Sequence, residues 1–207
     1  MQQITSLQNP LVKYLFTLTQ KSRQRKEQQQ FLIEGKREIS LALEAGYLIE
    51  QLFICPDILS EVEVEKLFSG YKCTAISTQV YEKLTYRSST EGILALAQCK
   101  NHALSGVEFQ KAHPLVLVAE APEKPGNIGA LLRTADAAGI DAVYIANPKT
   151  DLYNPNIIRS SVGTVFTVPI FMGSSEEIRS HLQQQGFAIY CAALTASQPY
   201  DQVSYKG

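Results

Sequence analysis

Two polar clusters in this chain combine residue types that could grip an anionic ligand. The first lies in Pro122-Glu-Lys-Pro-Gly-Asn-Ile-Gly-Ala-Leu-Leu-Arg-Thr-Ala-Asp-Ala-Ala-Gly139, where Asn127 is followed at helical spacing by Arg133. A guanidinium presents several N–H donors in a fork that matches phosphate, and an amide can orient a hydroxyl. The second is Asn154-Pro-Asn-Ile-Ile-Arg-Ser-Ser-Val-Gly-Thr-Val-Phe-Thr-Val-Pro169. Its Ser-Ser-x-Gly-Thr loop offers hydroxyls and backbone N–H groups, the makings of an anion nest. Plainer readings stand beside both. Arg133 and Asp136 could be a surface i,i+3 pair, Asn127 could be a helix N-cap, and the loop could be an ordinary helix-to-strand turn.

The neighbouring elements decide whether these residues can act. Residues 115–119, Leu-Val-Leu-Val-Ala, read as a buried strand, and the spacing predicts a helix over 127–138. At 100° per residue Ile128, Leu131, Leu132, Ala135 and Ala138 share one arc that should face a sheet. Arg133 falls opposite, beside Ala130, Asp136 and Ala137. With Gly129, these small residues leave room for something to approach. A strand whose carboxyl end feeds such a helix start is where open α/β sheets place their ligands.

Strand and helix alternate along the whole chain. A polar, helix-friendly stretch covers 13–30, then strands at 31–33, 52–55, 73–76 and 93–97 alternate with helices at 36–45, 62–68 and 78–84. Residues 100–113 are polar and without period, and read as a linker. Alternation resumes with strands at 115–119, 142–146, 165–170 and 187–194, and helices at 127–138, near 156–161 and at 175–185, the last capped by Ser174 or Ser175. The pattern predicts an α/β fold with successive parallel strands joined by right-handed crossovers.

Bulk composition permits a packed core: 45% of the 207 residues are hydrophobic and 19% charged. The net charge of -1 is not that of a generally basic protein. Its distribution is less even. Residues 13–37 hold seven Lys or Arg (13, 21, 23, 25, 26, 36, 37) against Glu27 and Glu34, so this segment carries +5 and the remainder -6. That fits a phosphate-contacting face or a solvated helix. Cys55, Cys73, Cys99 and Cys191 form no Cys-x-x-Cys pair, and nothing calls for a metal. The histidines at 102, 113 and 181 stand beside no evident nucleophile. There is no Gly-x-Gly-x-x-Gly and no phosphate-loop Gly-Lys-Ser/Thr. No secretory signal and no run of about 20 apolar residues is present, so a cytoplasmic location is expected.

At the two clusters the chain resembles the SpoU (TrmH) family of RNA ribose 2'-O-methyltransferases, part of the knotted SPOUT superfamily. Pro125-Gly-Asn127-Ile-Gly129-Ala-Leu-Leu-Arg133-Thr134-Ala135 is similar to the family's first motif, and Arg159-Ser-Ser161-Val-Gly163-Thr-Val-Phe-Thr-Val-Pro169 to its second. Some members carry Glu where Phe166 stands here, so a role for that acid does not transfer. Ile4-Thr-Ser-Leu-Gln-Asn-Pro10, Lys13, the basic segment and Phe31-Leu-Ile-Glu-Gly35 resemble the substrate-binding domain, related to ribosomal RNA-binding proteins, that precedes the catalytic domain in many members.

The resemblance implies an α/β substrate-binding domain at 1–99, a linker at 100–113 and a mostly parallel-sheet SPOUT (α/β knot) domain at 114–207. It implies S-adenosylmethionine as cofactor, RNA as partner with ribosomal RNA ahead of transfer RNA, and a homodimer through the SPOUT domain. Asn127 and Arg133 are the implied catalytic residues. Lys21, Arg23, Arg25, Lys26, Lys36, Arg37, Arg159, Ser160 and Ser161 are the implied RNA-binding set. Leu194, Thr195 and Ala196 lie in a segment that resembles the first cofactor-lining loop. The family's third motif, a Gly-x-Glu-x-x-Gly loop with a Pro-rich turn and a Ser-Leu-Asn helix start, is absent. The expectation is therefore a piece of a longer protein, with an incomplete knot and no activity alone. A non-catalytic RNA-binding protein that keeps this fold, and a small-molecule α/β enzyme, are the competing readings.

Overall fold

A computed structural model describes residues 3–86, 91–107, 109, 111–195 and 198–205. The N-terminal part runs β1 (Gln3–Ile4), α1 (Pro10–Gln20), α2 (Ser22–Gln28), β2 (Gln30–Glu34), α3 (Lys36–Glu44), β3 (Ile49–Ile54), α4 (Glu61–Phe68), β4 (Cys73–Ile76), α5 (Thr78–Leu84) and β5 (Ile93–Gln98). Its five strands form one mixed sheet in the order β1-β4-β3-β5-β2. β4 lies parallel to β1 and β3, and β5 antiparallel to β2 and β3.

The expected helix over 13–30 is broken in two. Lys21 is extended (φ -119°, ψ 111°) between α1 and α2, and Gln29 is left-handed (φ 53°) where α2 ends. The break rotates α2 so that Arg25 points inward. Side chains on the two faces of this sheet bury different groups. Leu15, Leu18, Leu32, Phe53, Val80 and Tyr81 pack under α1 and α5. Phe31, Ile33, Ile39, Leu52 and Ala95 face the other way, toward the second domain.

The second domain carries β6 (Val116–Glu120), α6 (Pro125–Ala137), β7 (Ala142–Ala146), α7 (Pro155–Ser161), α8 (Thr164–Thr167), β8 (Ile170–Gly173) and α9 (Ser175–Gln184). Its sheet is β6-β7-β8, all parallel and in register, so that Glu120, Ala146 and Gly173 end the strands side by side. Every residue of β7 is buried, as suits a central strand covered on both faces. On α6, Ile128, Leu132 and Ala135 are buried and Arg133 is exposed, which matches the expected faces.

One expected strand is displaced and another is not formed. Residues 164–167 form a helical turn, and the strand starts only at Ile170. Val165, Phe166 and Val168 have strand propensity, but left-handed Gly163 (φ 88°) opens a turn that buries Val165 and Phe166 between the domains. Pro169 cannot donate to a ladder, so pairing begins after it. Residues 187–194 join no ladder. Phe187 packs on Phe109 at 5.4 Å, whereas Ile189, Tyr190 and Leu194 are exposed. An apolar run signals a strand only where a partner edge receives it.

One hydrophobic core crosses between the domains. Phe31 stacks on Tyr153 with centroids 4.1 Å apart, and Tyr47 meets Phe166 edge-on at 5.2 Å. Beside them Arg25 forms an ion pair with Asp151, with side chains only 3% and 7% exposed. The segment joining the domains is itself anchored. His102 bonds the Ile170 carbonyl through Nδ1 (2.9 Å) and the Tyr153 hydroxyl through Nε2 (2.8 Å), and Leu104 and Val107 pack on the parallel sheet.

Candidate active site

α6 begins two residues earlier than its pattern indicates, with Pro125 at its first position and Lys124 as a cap without a side-chain bond. Proline suits that position because its missing N–H needs no partner there. Asn127 is thus the third helical residue rather than the N-cap, and its side chain is exposed at the carboxyl end of β6.

Arg133 lies two turns along the same helix. Its exposed guanidinium donates to the carbonyl of Ser160, near the end of α7. The last carbonyls of a helix lack intrahelical donors and attract a cation. Arg133 therefore joins the two sequence clusters directly instead of pairing with Asp136. Gly129 makes the approach possible. A Cβ there would stand 2.7 Å from both the carbonyl carbon and the Cβ of Ser160. The room beside Arg133 that the small residues promised is filled, at Gly129, by α7.

α7 is capped by Asn154, whose side chain accepts from the Asn156 N–H at 2.9 Å, with Pro155 again at the first position. The expected anion nest after it is closed. Ser160 Oγ donates to the Asn156 carbonyl (2.6 Å), Ser161 Oγ to the Ile158 carbonyl (3.0 Å) and Thr164 Oγ1 to the Ser161 carbonyl (2.8 Å). Ser161 is 0% exposed. These hydroxyls shape the turn, so Ser161 as an RNA contact is corrected to a packing residue, and the half-buried Ser160 serves through its carbonyl. Gly163 is required on both counts: its φ is 88°, and a Cβ would meet Leu41 Cδ1 at 2.5 Å. Arg159 points elsewhere. Its guanidinium lies 5.6 Å from the Tyr86 ring, across the groove between the domains.

The basic segment divides in the same way. Lys21, Arg23, Lys26 and Arg37 are exposed, with Arg23 bonded to Glu27 at 2.6 Å. Lys36 is half-buried and pairs with Glu63 at 2.8 Å. Arg25 is the second correction. Its Nε donates to Asp151 and its Nη1 to the Leu18 carbonyl, so it ties the domains together and is not free for phosphate. Lys26, Gln29, Lys100 and His102 line a 290 Å³ cavity at this junction.

Of the cofactor-loop candidates, Leu194 and Thr195 are exposed and Ala196 lies outside the described residues. The Leu194 side chain has no protein cover, and residues 188–193 form no ladder. Leu194 offers apolar surface and the backbone of 188–193, outside any ladder, offers hydrogen-bonding groups; an adenosine-bearing ligand takes both kinds of contact.

Sequence reasoning missed three groups at the carboxyl edge of the parallel sheet: Glu120, Asn147 and Ser175, which bond one another. Glu120 could have been noticed as the acid that ends an apolar run just before the first cluster. Asn147 and Ser175 carry no such signal. Tyr153 was also missed, and His102, read as a linker residue, bonds its hydroxyl. Burial holds the His102 imidazole below its ordinary pKa and raises that of the Tyr153 phenol. Among the described residues no three His, Cys, Asp or Glu converge in a metal-binding group, and no helix is long and apolar enough to cross a membrane.

Comparison with known proteins places this geometry in context. Residues 9–95 match the MRM3-like substrate binding domain and residues 114–207 the SpoU rRNA Methylase family. A 23S rRNA (guanosine(2553)-2'-O)-methyltransferase, RlmP of Bacillus subtilis, is 28% identical over 203 residues, which covers 98% of this chain and 78% of that protein. An uncharacterized tRNA/rRNA methyltransferase of Synechocystis is 31% identical over 98% of this chain and 74% of its own length. Among solved structures, an RNA 2'-O ribose methyltransferase superposes with a TM-score of 0.75 at 38% identity, over 90% of this chain and 71% of that one. The AdoMet-bound rRNA methyltransferase from Sinorhizobium meliloti gives a TM-score of 0.85 at 26% identity, over 100% and 77%.

Proposed function

The chain belongs to the SpoU rRNA Methylase family, and from that premise we propose which of its side chains carry the reaction. It is an S-adenosylmethionine-dependent methyltransferase that acts on a ribose 2'-hydroxyl of RNA. When bound, S-adenosylmethionine supplies an electrophilic methyl group. The chain's own residues must bring the hydroxyl into line and ease loss of its proton, because a sugar hydroxyl is a weak acid.

The observation that carries the assignment is Arg133: exposed, on the helix that leaves β6, and held at one nitrogen by the Ser160 carbonyl. A guanidinium stays charged, so Arg133 is a phosphate clamp rather than a base. Its remaining N–H groups grip the phosphate beside the target ribose and stabilise charge that develops on the oxygen. The proton passes to water as the methyl is transferred, and the neighbouring phosphate helps guide it out. Asn127, exposed in the first turn of α6, orients the ribose. Leu194, Thr195 and Ala196 hold the cofactor.

Lys21, Arg23, Lys26, Lys36, Arg37 and Arg159 provide electrostatic hold on folded RNA, whose shape is the cue in duplex regions. The RNA is ribosomal rather than transfer RNA, which the RlmP relative supports. We place the domain boundaries at 1–99, 100–113 and 114–207, the protein in the cytoplasm, and the dimer contact in the parallel-sheet domain.

The test is Arg133→Ala in the full-length protein, assayed for methyl transfer to unmodified 23S ribosomal RNA and for S-adenosylmethionine affinity by calorimetry. Transfer should fall at least about 100-fold, as for loss of one charge-stabilising donor, with affinity unchanged. Parallel loss of both would instead make Arg133 a cap for α7 and overturn the assignment.

A further inference from the structure

The three strands of the parallel sheet end level, at Glu120, Ala146 and Gly173, and the chain leaves two of them in the same unusual way. Ala121 has φ 44° and Asn147 has φ 45°. Residues with a Cβ rarely adopt this left-handed conformation, and such residues gather at functional sites. Their amides extend the ladder by one step, Ala121 N–H to the Ala146 carbonyl and Asn147 N–H to the Gly173 carbonyl, each at 2.8 Å.

Side chains lock this edge. Asn147 Nδ2 donates to Glu120 Oε1 at 3.0 Å and to Ser175 Oγ at 2.7 Å, and the Ser175 hydroxyl donates to Glu120 Oε2. The triangle is closed: both amide hydrogens, the hydroxyl hydrogen and both carboxylate oxygens are engaged. Each corner comes from a different element, the end of β6, the exit of β7 and the first turn of α9. Glu120 and Asn147 are exposed, and exposed networks of this kind add little to global stability. What they fix is local. Ala121 is the first residue of the loop that delivers Pro125, Asn127 and Arg133.

We propose that Glu120 is a positioning residue for methyl transfer: through Asn147 and Ser175 it holds the exit of β6 in the left-handed turn that aims α6, and hence Asn127 and Arg133, at the RNA. This rests on the reading of Arg133 above. Glu120 does not take the proton. Each of its oxygens already accepts a hydrogen bond within the triangle, and the Ser175 hydroxyl and Asn147 amide hold its carboxyl below the usual range.

Substitutions of opposite character separate geometry from charge. Glu120→Gln keeps the length and can close the triangle by donating its amide to Ser175, but loses the charge. Glu120→Asp keeps the charge and is one methylene too short. In the full-length protein, with unmodified 23S ribosomal RNA and S-adenosylmethionine, Glu120→Gln should keep kcat within about threefold. Glu120→Asp and Glu120→Ala should lower kcat about tenfold or more, with KM nearly unchanged. The reverse order, Asp active and Gln inactive, would make Glu120 a charged participant and sink the proposal. Equal activity of all variants would do the same.

A second readout does not need turnover. In amide NMR spectra, Glu120→Asp should shift the Ala121, Asn127 and Ile128 resonances and leave Phe53 in the distant sheet unmoved. Unshifted Asn127 and Ile128 amides would overturn the proposal even if methyl transfer failed in the unsubstituted protein. That failure would count against the enzymatic reading instead.

Discussion

Gly129 and Ser160 pack backbone against backbone where α6 crosses α7, so closely that the carbon atom absent from Gly129 would stand 2.7 Å from the Ser160 carbonyl carbon. The same Ser160 carbonyl receives Arg133. The glycine of the first cluster and the arginine of the first cluster are thus fitted to one peptide unit of the second.

Gly129→Ala should destabilise the protein by about 3 kcal/mol, the upper part of the range for overpacking, because the obstruction is backbone rather than a flexible tip. Removing the Ser160 hydroxyl in Gly129→Ala/Ser160→Ala relieves only part of the clash, so recovery should be partial. Urea denaturation of the two variants checks both statements.

Asp151→Ala leaves the Arg25 guanidinium buried without its carboxylate. Breaking a buried pair in this way costs about 3–5 kcal/mol. Replacing both partners, Arg25→Met with Asp151→Leu, should recover most of that loss. Thermal unfolding of the single and double variants measures it, and a negligible effect of Asp151→Ala would refute the role of this pair as an interdomain tie.

RNA affinity should separate the exposed cations from the buried groups. Removing one cation that neutralises a phosphate reduces the slope of log affinity against log salt by roughly 0.7–0.9. Lys21→Ala, Lys26→Ala and Arg37→Ala combined should flatten the slope by about two units, whereas Ser161→Ala should leave it unchanged. Filter binding to 23S ribosomal RNA across salt concentrations reads this out.

His102 makes stability depend on pH in a defined direction. Burial lowers its pKa in the folded protein below the ordinary 6.5, with Lys100 acting in the same sense and the Ile170 carbonyl opposing. The unfolded chain therefore binds the proton first. The contribution is complete above about 6.5 and is lost as pH falls through the lower folded value. Melting temperature should decline on acidification below 6.5. His102→Asn should melt lower at neutral pH yet show a flatter acid limb. A titration of the His102 ring with a midpoint above 6.5 would contradict this.

Much of the site was legible in sequence because its signals are local. The 3.6-residue period of Ile128, Leu132 and Ala135 placed Arg133 on the outer face of α6, although it set the start of that helix two residues late, because Pro125 rather than Asn127 is the first helical residue. What escaped depends on partners distant in sequence. Arg25 looks like its exposed neighbours until Asp151 arrives 126 residues later. Ser160 and Ser161 look like phosphate ligands until their hydroxyls turn back on their own helix. Val165 and Phe166 have strand propensity, but the aromatic contact with Phe31 and Tyr47 pulls them into a turn. Glu120, Asn147 and Ser175 meet only because three strands end level.

The aromatic layer of Phe31, Tyr47, Tyr153 and Phe166 has a consequence for substrate choice. It packs the domain that carries α2 against the scaffold that carries Arg133, so the interval between Lys26 and Arg133 is set by buried rings rather than by the joining segment. On the roles proposed above for those two side chains, a transcript that fits offers its backbone and its target sugar at that interval.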